Sequence, residues 1–176
     1  MMSTVSPLPW HGEPAAALVV LGVEPHQGAD VIDAAAQFAT RLGASVVCVW
    51  VDASHLTTER RENGTVITTP LDPDAVDDPG LPTQVEELHN RLAEILADPV
   101  TSWRLHYATG APARILSDVA EELEAVAIMI GTRNKGFGHW AAEKIDGSVA
   151  ARLAQHQHRP VILIPHPEAG GSRGLP

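Results

Sequence analysis

The segment from Gly131 to Ser148 combines the residue types best suited to binding a phosphate group. Its glycines allow a ligand to approach the backbone closely, and Arg133 adds positive charge. A Gly-Ser pair then opens a predicted helix, whose unpaired N–H groups favour anions. The glycines are Gly131, Gly136, Gly138 and Gly147. The composition fits a phosphate loop, but it also fits a flexible connection in which Ser148 caps the helix. Neither standard phosphate signature, G-x-x-x-x-G-K-[ST] or G-x-G-x-x-G after the first strand, is present.

Apolar runs alternate with amphipathic stretches along the chain. Continuous apolar runs are typical of strands buried on both faces of a parallel sheet. The predicted strands span residues 15–23, 45–51, 102–108, 125–131 and 160–165. Helices are expected over 29–42 and 147–157, from Thr83 with Glu86 as its capping-box partner, and from Pro112. This alternation predicts an α/β fold with one doubly wound, five-stranded parallel sheet.

In such sheets, ligands bind at the carboxyl ends of the strands, where the strand order reverses. The first predicted strand ends in Val23-Glu24, the second in Val51-Asp52 and the fourth in Gly131-Thr132. These residues are therefore candidates for a ligand site.

The remaining segments carry little periodicity. Residues 52–82 are rich in Pro and Asp and are expected to form a long exposed connection. Residues 1–14 and 167–176 are expected to be flexible, which leaves one domain over 15–166.

Composition narrows the function classes. The chain has 176 residues and a net charge of −10, which argues against a nucleic-acid polymer as partner. No apolar run is long enough for a membrane helix, and the N-terminus does not resemble a secretory signal. Cys48, the single cysteine, is expected to be a buried small hydrophobe. These features favour a cytoplasmic protein without a membrane partner.

His156 and His158 are expected to interact with a helix C-terminus rather than with a metal.

Three stretches together resemble the universal stress protein family, over about residues 15–165. They are "VVLGVEPHQGADVIDAAAQFA", "TGAPARILSDVA" and "IMIGTRNKGFG…DGSVAARLAQHQHRPVILIP". The resemblance implies a three-layer sandwich like that of the adenine nucleotide alpha hydrolases, with strand order 3-2-1-4-5. It also implies a homodimer formed through the last strand, at Val161, Ile162, Leu163 and Ile164.

Many members of that family bind ATP through a pattern G-x2-G-x9-G-[ST]. Gly131, Gly147 and Ser148 match it, whereas Asn134 replaces the second glycine and the loop is three residues longer. Glu24 stands where ATP-binding members commonly carry Asp. By this resemblance Val23, Glu24 and Val51 line the adenosine side. The phosphate side comprises Gly131, Thr132, Arg133, Asn134, Gly136, Gly138, Gly147 and Ser148. The implied ligand is ATP, with or without Mg²⁺.

Three functions remain open on the sequence. The first is a stress-response homodimer that binds ATP or a related adenine nucleotide as a regulatory ligand. The second is a dimeric protein-interaction module without a nucleotide, suggested by Asn134 and the longer loop. The third is a slow ATP hydrolase, for which only Glu24 or Asp52 could act as general base.

Overall fold

The computed structural model describes residues 3–72, 80–97, 101–132 and 149–166. Its strands are β1 (Ser3–Val5), β2 (Ala17–Val23), β3 (Ala44–Asp52), β4 (His55–Arg60), β5 (Val66–Pro70), β6 (Trp103–Thr109), β7 (Ala127–Gly131) and β8 (Val161–Ile164). Its helices are α1 (Ala29–Arg41), α2 (Leu81–Ile95), α3 (Pro112–Glu122) and α4 (Val149–His156).

Five strands form one parallel sheet in the order β6-β3-β2-β7-β8. These are the five strands expected from the apolar runs, and numbered among themselves they lie in the order 3-2-1-4-5. The doubly wound α/β fold and the strand order are therefore confirmed.

The helices cover both faces of this sheet. Apolar residues of α1 and α2 share one buried cluster with Val19, Leu21 and Val23. Residues of α3 and α4 share a second cluster with Val20 and Ile128 on the other face. Successive side chains of a strand point to opposite faces, so a strand with helices on both sides must be apolar throughout.

Two sequence expectations about local structure have clear outcomes. Cys48 is fully buried, as expected for a core hydrophobe, and this burial raises the pKa of its thiol to about 12.

Helix α2 begins at Leu81 after Gly80, without a side-chain cap, so the capping box predicted at Thr83 and Glu86 is wrong. Pro occupies the first turn instead, where its missing N–H costs nothing.

A second, antiparallel sheet corrects the expected exposed connection over 52–82. Strands β4 and β5 form a hairpin within it, and β1 pairs with the other edge of β5. The expected flexibility of residues 1–14 also fails for β1 and for His11, which exchanges backbone hydrogen bonds with Trp103 at 2.8 and 3.1 Å. Residues 73–79 and 167–176 lie outside the described parts of the chain.

A buried polar cluster joins the two sheets. Asp52, at the end of β3, is 8% exposed. Its Oδ1 accepts hydrogen bonds from the Ser54 N–H at 2.8 Å and from the Ser54 hydroxyl at 2.6 Å. Its Oδ2 lies 2.8 Å from His55 Nδ1 and accepts a hydrogen bond from the Tyr107 hydroxyl at 3.1 Å. The carboxylate thus ties β3, β4 and β6 together.

A histidine pair fastens the N-terminal segment to the main domain. His11 Nε2 lies 2.8 Å from His89 Nε2 on α2. The His11 ring stacks on Trp103 with ring centroids 4.2 Å apart and parallel planes. A hydrogen bond between two imidazoles requires one neutral acceptor nitrogen, so the contact depends on protonation.

In the parts of the chain that the structure covers, no helix is both long and apolar enough to cross a bilayer.

The Asp52 cluster predicts a loss of stability in acid. Burial alone would raise the pKa of Asp52, but the hydrogen bonds from Ser54, the charge of His55 and the hydrogen bond from Tyr107 outweigh it and hold the pKa below its usual value. The stability contributed by the carboxylate is therefore present above the unfolded pKa of about 3.9 and lost as the pH falls through the folded value.

Replacing Asp52 with Asn should lower the free energy of unfolding at pH 7 by about 2 kcal/mol, because a charged acceptor of several bonds is lost. Urea denaturation at pH 7 and at pH 3 measures this, and the difference from the wild type should shrink in acid. Tyr107→Phe removes the hydroxyl that bonds both Asp52 and the Thr68 side chain and should cost about 1–2 kcal/mol. An Asp52→Asn variant as stable as the wild type at pH 7 would contradict the role given to the carboxylate.

The histidine pair predicts a second pH effect, in a milder range. Burial, followed by the proximity of His11, lowers the pKa of His89 below its ordinary 6.5. Below pH 6.5 the unfolded chain then binds more protons at His89 than the native state does. The free energy of unfolding therefore falls as the pH is lowered through this range. The loss of unfolding free energy between pH 7.5 and 5 should be smaller in His89→Gln than in the wild type. His26→Gln, at an exposed position, is the control and should leave that loss unchanged. Identical profiles for His89→Gln and the wild type would show that the pair is not the pH-sensitive element.

Candidate functional site

The carboxyl ends of β3, β2 and β7 meet at one edge of the main sheet. Val23 pairs with Trp50 of β3, and Gly22 pairs with Ile130 of β7. Val23, Val51 and Gly131 are therefore at nearly the same level on three adjacent strands. These three residues, expected together from their positions at strand ends, do lie at one edge of the sheet.

A tight turn leads from β2 into α1 and presents Glu24 to solvent. The Gln27 N–H donates a hydrogen bond to the Glu24 carbonyl at 3.1 Å. The Glu24 N–H in turn donates to the Gln27 side-chain oxygen at 3.3 Å. Glu24 itself is exposed, so its carboxylate is on the accessible side of the turn.

Gly131 is required by close packing. A Cβ at this position would lie 2.5 Å from Gln27 Nε2 and 2.7 Å from Val31 Cγ1. Both distances are shorter than a normal carbon contact, so any larger residue would have to displace the Gln27 side chain and the Val31 side chain of α1. The local reason for Gly131 is thus visible without any ligand.

Thr132 links the end of β7 to the end of β8. Its N–H donates to the Ile164 carbonyl at 2.9 Å, and its hydroxyl oxygen accepts from the His166 N–H at 3.2 Å. His166 Nδ1 lies 2.8 Å from Asp30 Oδ2 in the first turn of α1. A line of polar contacts therefore runs along the edge from β8 across β7 to α1.

His166, Asp30 and Gln27 did not emerge from the sequence. His166 follows the carboxyl end of the fifth predicted strand, so extending the strand-end argument to that strand would have found it. Asp30 and Gln27 have no sequence signal of their own, because their importance comes from contacts with distant segments.

Of the residues expected on an adenosine side, Val51 is half-buried and packs against the second apolar cluster. Asp52, considered above as a general base, has both carboxylate oxygens engaged by Ser54, His55 and Tyr107. Its contacts tie β3 to the second sheet, which favours a structural role over a catalytic one.

The structure describes five of the predicted site residues: Val23, Glu24, Val51, Gly131 and Thr132. The others lie outside the described residues and comprise Arg133, Asn134, Gly136, Gly138, Gly147 and Ser148. Helix α4 is described from Val149.

His156 agrees with the role expected at a helix C-terminus. It is the last residue of α4, and its Nδ1 lies 2.9 Å from the Arg152 carbonyl oxygen one turn earlier. Within the described ranges, no group of three or more His, Cys, Asp or Glu side chains is arranged to hold a metal ion.

Known proteins match the chain in sequence pattern and in fold. The model of the universal stress protein family matches residues 17–165. A comparison with curated protein sequences gives no match.

Among solved structures, a universal stress protein from Archaeoglobus fulgidus is similar at 21% identity and a TM-score of 0.58, covering 84% of this chain and 98% of that one. The same organism's protein in complex with dAMP gives 21% identity and a TM-score of 0.56, over 84% and 97% of the two chains. A universal stress protein in complex with cAMP gives 20% identity and a TM-score of 0.54, over 86% and 98%. At these identities the structures establish the fold. Together with the family model, which spans most of the sequence, they show that the chain belongs to the universal stress protein family.

Proposed function

We propose that this protein binds ATP or a related adenine nucleotide as a regulatory ligand at the carboxyl edge of β3, β2 and β7. The observation that carries the proposal is the placement of Val23, Glu24, Val51 and Gly131 around one edge of the sheet. This is the edge at which open α/β sheets bind ligands.

The chemistry of the edge supports a nucleotide. Val51 is half-buried and supplies apolar surface for a base, and the exposed Glu24 carboxylate can accept hydrogen bonds from ribose hydroxyls. The Val23 side chain is 2% exposed and belongs to the core under this edge. Gly131 brings the β7 backbone to the edge without a side chain, and a basic, glycine-bearing segment follows it in the sequence. Two structurally similar proteins are described in complex with cAMP and with dAMP, which favours an adenine nucleotide as the first ligand to test.

A regulatory ligand is proposed in preference to a rapidly hydrolysed substrate. Of the two carboxylates considered as general bases, Asp52 is engaged in the cluster that joins the sheets. The other, Glu24, is assigned by the family resemblance to the adenosine side of the proposed site rather than to the phosphate side. If Mg²⁺ takes part, it would be bound mainly through nucleotide phosphates, as this ion commonly is.

The proposal includes a cytoplasmic homodimer formed through β8. This strand is at an end of the main sheet, and Leu163 is 51% exposed on it. An exposed, apolar edge strand is a template for pairing with a second chain, which supports an interface through Val161, Ile162, Leu163 and Ile164. A role in stress response is proposed from membership of the family.

Native mass spectrometry of the freshly purified full chain tests the nucleotide proposal directly. We expect a dimer that carries one adenine nucleotide per subunit, or that acquires one when ATP is added. A chain that retains no nucleotide and binds neither ATP, AMP nor cyclic AMP on titration would contradict it. That result would favour the interaction module, which Asn134 and the lengthened loop suggest.

Glu24 provides a local test of the adenosine side. Glu24→Ala should weaken ATP binding about tenfold, since a hydrogen bond to a charged group contributes about 1.5–3 kcal/mol. The stability of the fold should change by less than about 0.5 kcal/mol, because the side chain is exposed. Isothermal titration calorimetry measures the affinity, with Glu94→Ala on the exposed face of α2 as the matched control. Equal affinities for Glu24→Ala and the wild type would remove Glu24 from the site.

A further inference from the structure

Arg91 reaches from α2 to the turn that carries Glu24. Its Nη1 donates a hydrogen bond to the Pro25 carbonyl oxygen at 2.8 Å, and its Nη2 donates to the Gln27 carbonyl oxygen. A guanidinium is planar and holds its donors in a fixed fork. Two carbonyls of the same turn, bound by one fork, cannot easily move relative to each other.

Gln27 extends this connection to the candidate site. Its backbone carbonyl is held by Arg91, and its side-chain oxygen accepts a hydrogen bond from the Glu24 N–H. Its side-chain nitrogen lies 2.5 Å from the position that a Cβ on Gly131 would take. A continuous set of contacts therefore runs from Arg91 through Gln27 to both Glu24 and Gly131.

A cavity lies beside the turn, between it and α2. It measures about 240 Å³ and is lined by Pro25, His26, Gln84, Glu87, Leu88 and Arg91. Close packing of side chains normally fixes a turn against its neighbouring helix. Arg91, which lines this cavity, links α2 directly to the turn through its two hydrogen bonds.

We propose that Arg91 is a positioning residue for the nucleotide site. It holds residues 24–28 in the conformation that presents Glu24 and keeps Gln27 beside Gly131, without touching the ligand. The inference rests on the nucleotide-binding function proposed above and adds a determinant of affinity that lies outside the strand ends.

Hydrogen exchange and ATP titration on the same variants test this role. In Arg91→Ala, the amides of Glu24 and Gln27 should exchange faster than in the wild type, and ATP affinity should fall about tenfold, the effect of losing roughly one charge-assisted bond. Arg91→Lys keeps the charge but lacks the planar fork, so it should show intermediate values. Added guanidinium ion at millimolar concentration should restore part of the affinity of Arg91→Ala, a rescue that general destabilisation would not show.

Arg114→Ala is the matched control. Arg114 lies on α3 with its side chain 81% exposed, and it makes an ion pair with Asp118 at 3.6 Å. Its replacement should change neither the exchange of the turn nor the affinity for ATP. If Arg91→Ala does not fold, the comparison is made with Arg91→Lys.

The outcomes separate this inference from the proposed function. A wild-type protein that binds no ATP refutes the nucleotide function, and exchange at Glu24 and Gln27 still shows whether Arg91 holds the turn. If the wild type binds ATP, an unchanged affinity in the Arg91 variants overturns the positioning role. A reduced affinity with unchanged exchange of the turn also overturns it, because the effect would then arise elsewhere.

Discussion

The close approach of β7 to the β2–α1 turn is the contact on which the candidate site depends. Gly131 passes beside Gln27 and Val31 at distances that leave no room for a side chain. This approach brings the exposed Glu24 and the start of the glycine segment to the same edge of the sheet. A larger residue at position 131 would clash with the side chains of Gln27 and Val31, which would have to move.

Polar contacts add to the apolar packing of the segments around this edge. Arg91 fixes the turn from the side of α2. His166 and Thr132 connect β8, β7 and α1, and Asp52 anchors the second sheet to the end of β3. Hydrogen bonds of this kind fix direction as well as distance. The sheet supplies a rigid, apolar base, and the polar contacts set the geometry of the edge above it.

The five-stranded sheet could be predicted because its central strands β2, β3 and β7 are largely buried and continuously apolar, and its outer strands β6 and β8 are also rich in apolar residues. The β4–β5 hairpin could not, since most of β4 is exposed and lacks an alternating pattern. Its partner β1 lies about sixty residues away in the sequence, and no local signal records that pairing.

Some residues of the candidate site could likewise be predicted from local sequence, and others could not. Val23, Glu24, Val51, Gly131 and Thr132 follow from one rule about strand ends, and the structure brings their positions to one edge. Gln27, Arg91 and His166 act through contacts between segments far apart in the chain. Arg91 in particular lies within an amphipathic helix, where a charged residue ordinarily indicates only a solvated face.

The measurement that most directly tests the central claim is an amide chemical-shift titration of the isotopically labelled protein with ATP. If the nucleotide binds at the carboxyl edge of β3, β2 and β7, saturable shifts are expected at the amides of Glu24, Val51, Gly131 and Thr132. The absence of shifts would contradict nucleotide binding. Shifts confined to the opposite edge of the sheet, around the cavity lined by Thr40, Ser45 and Thr101, would contradict a ligand site at the carboxyl edge.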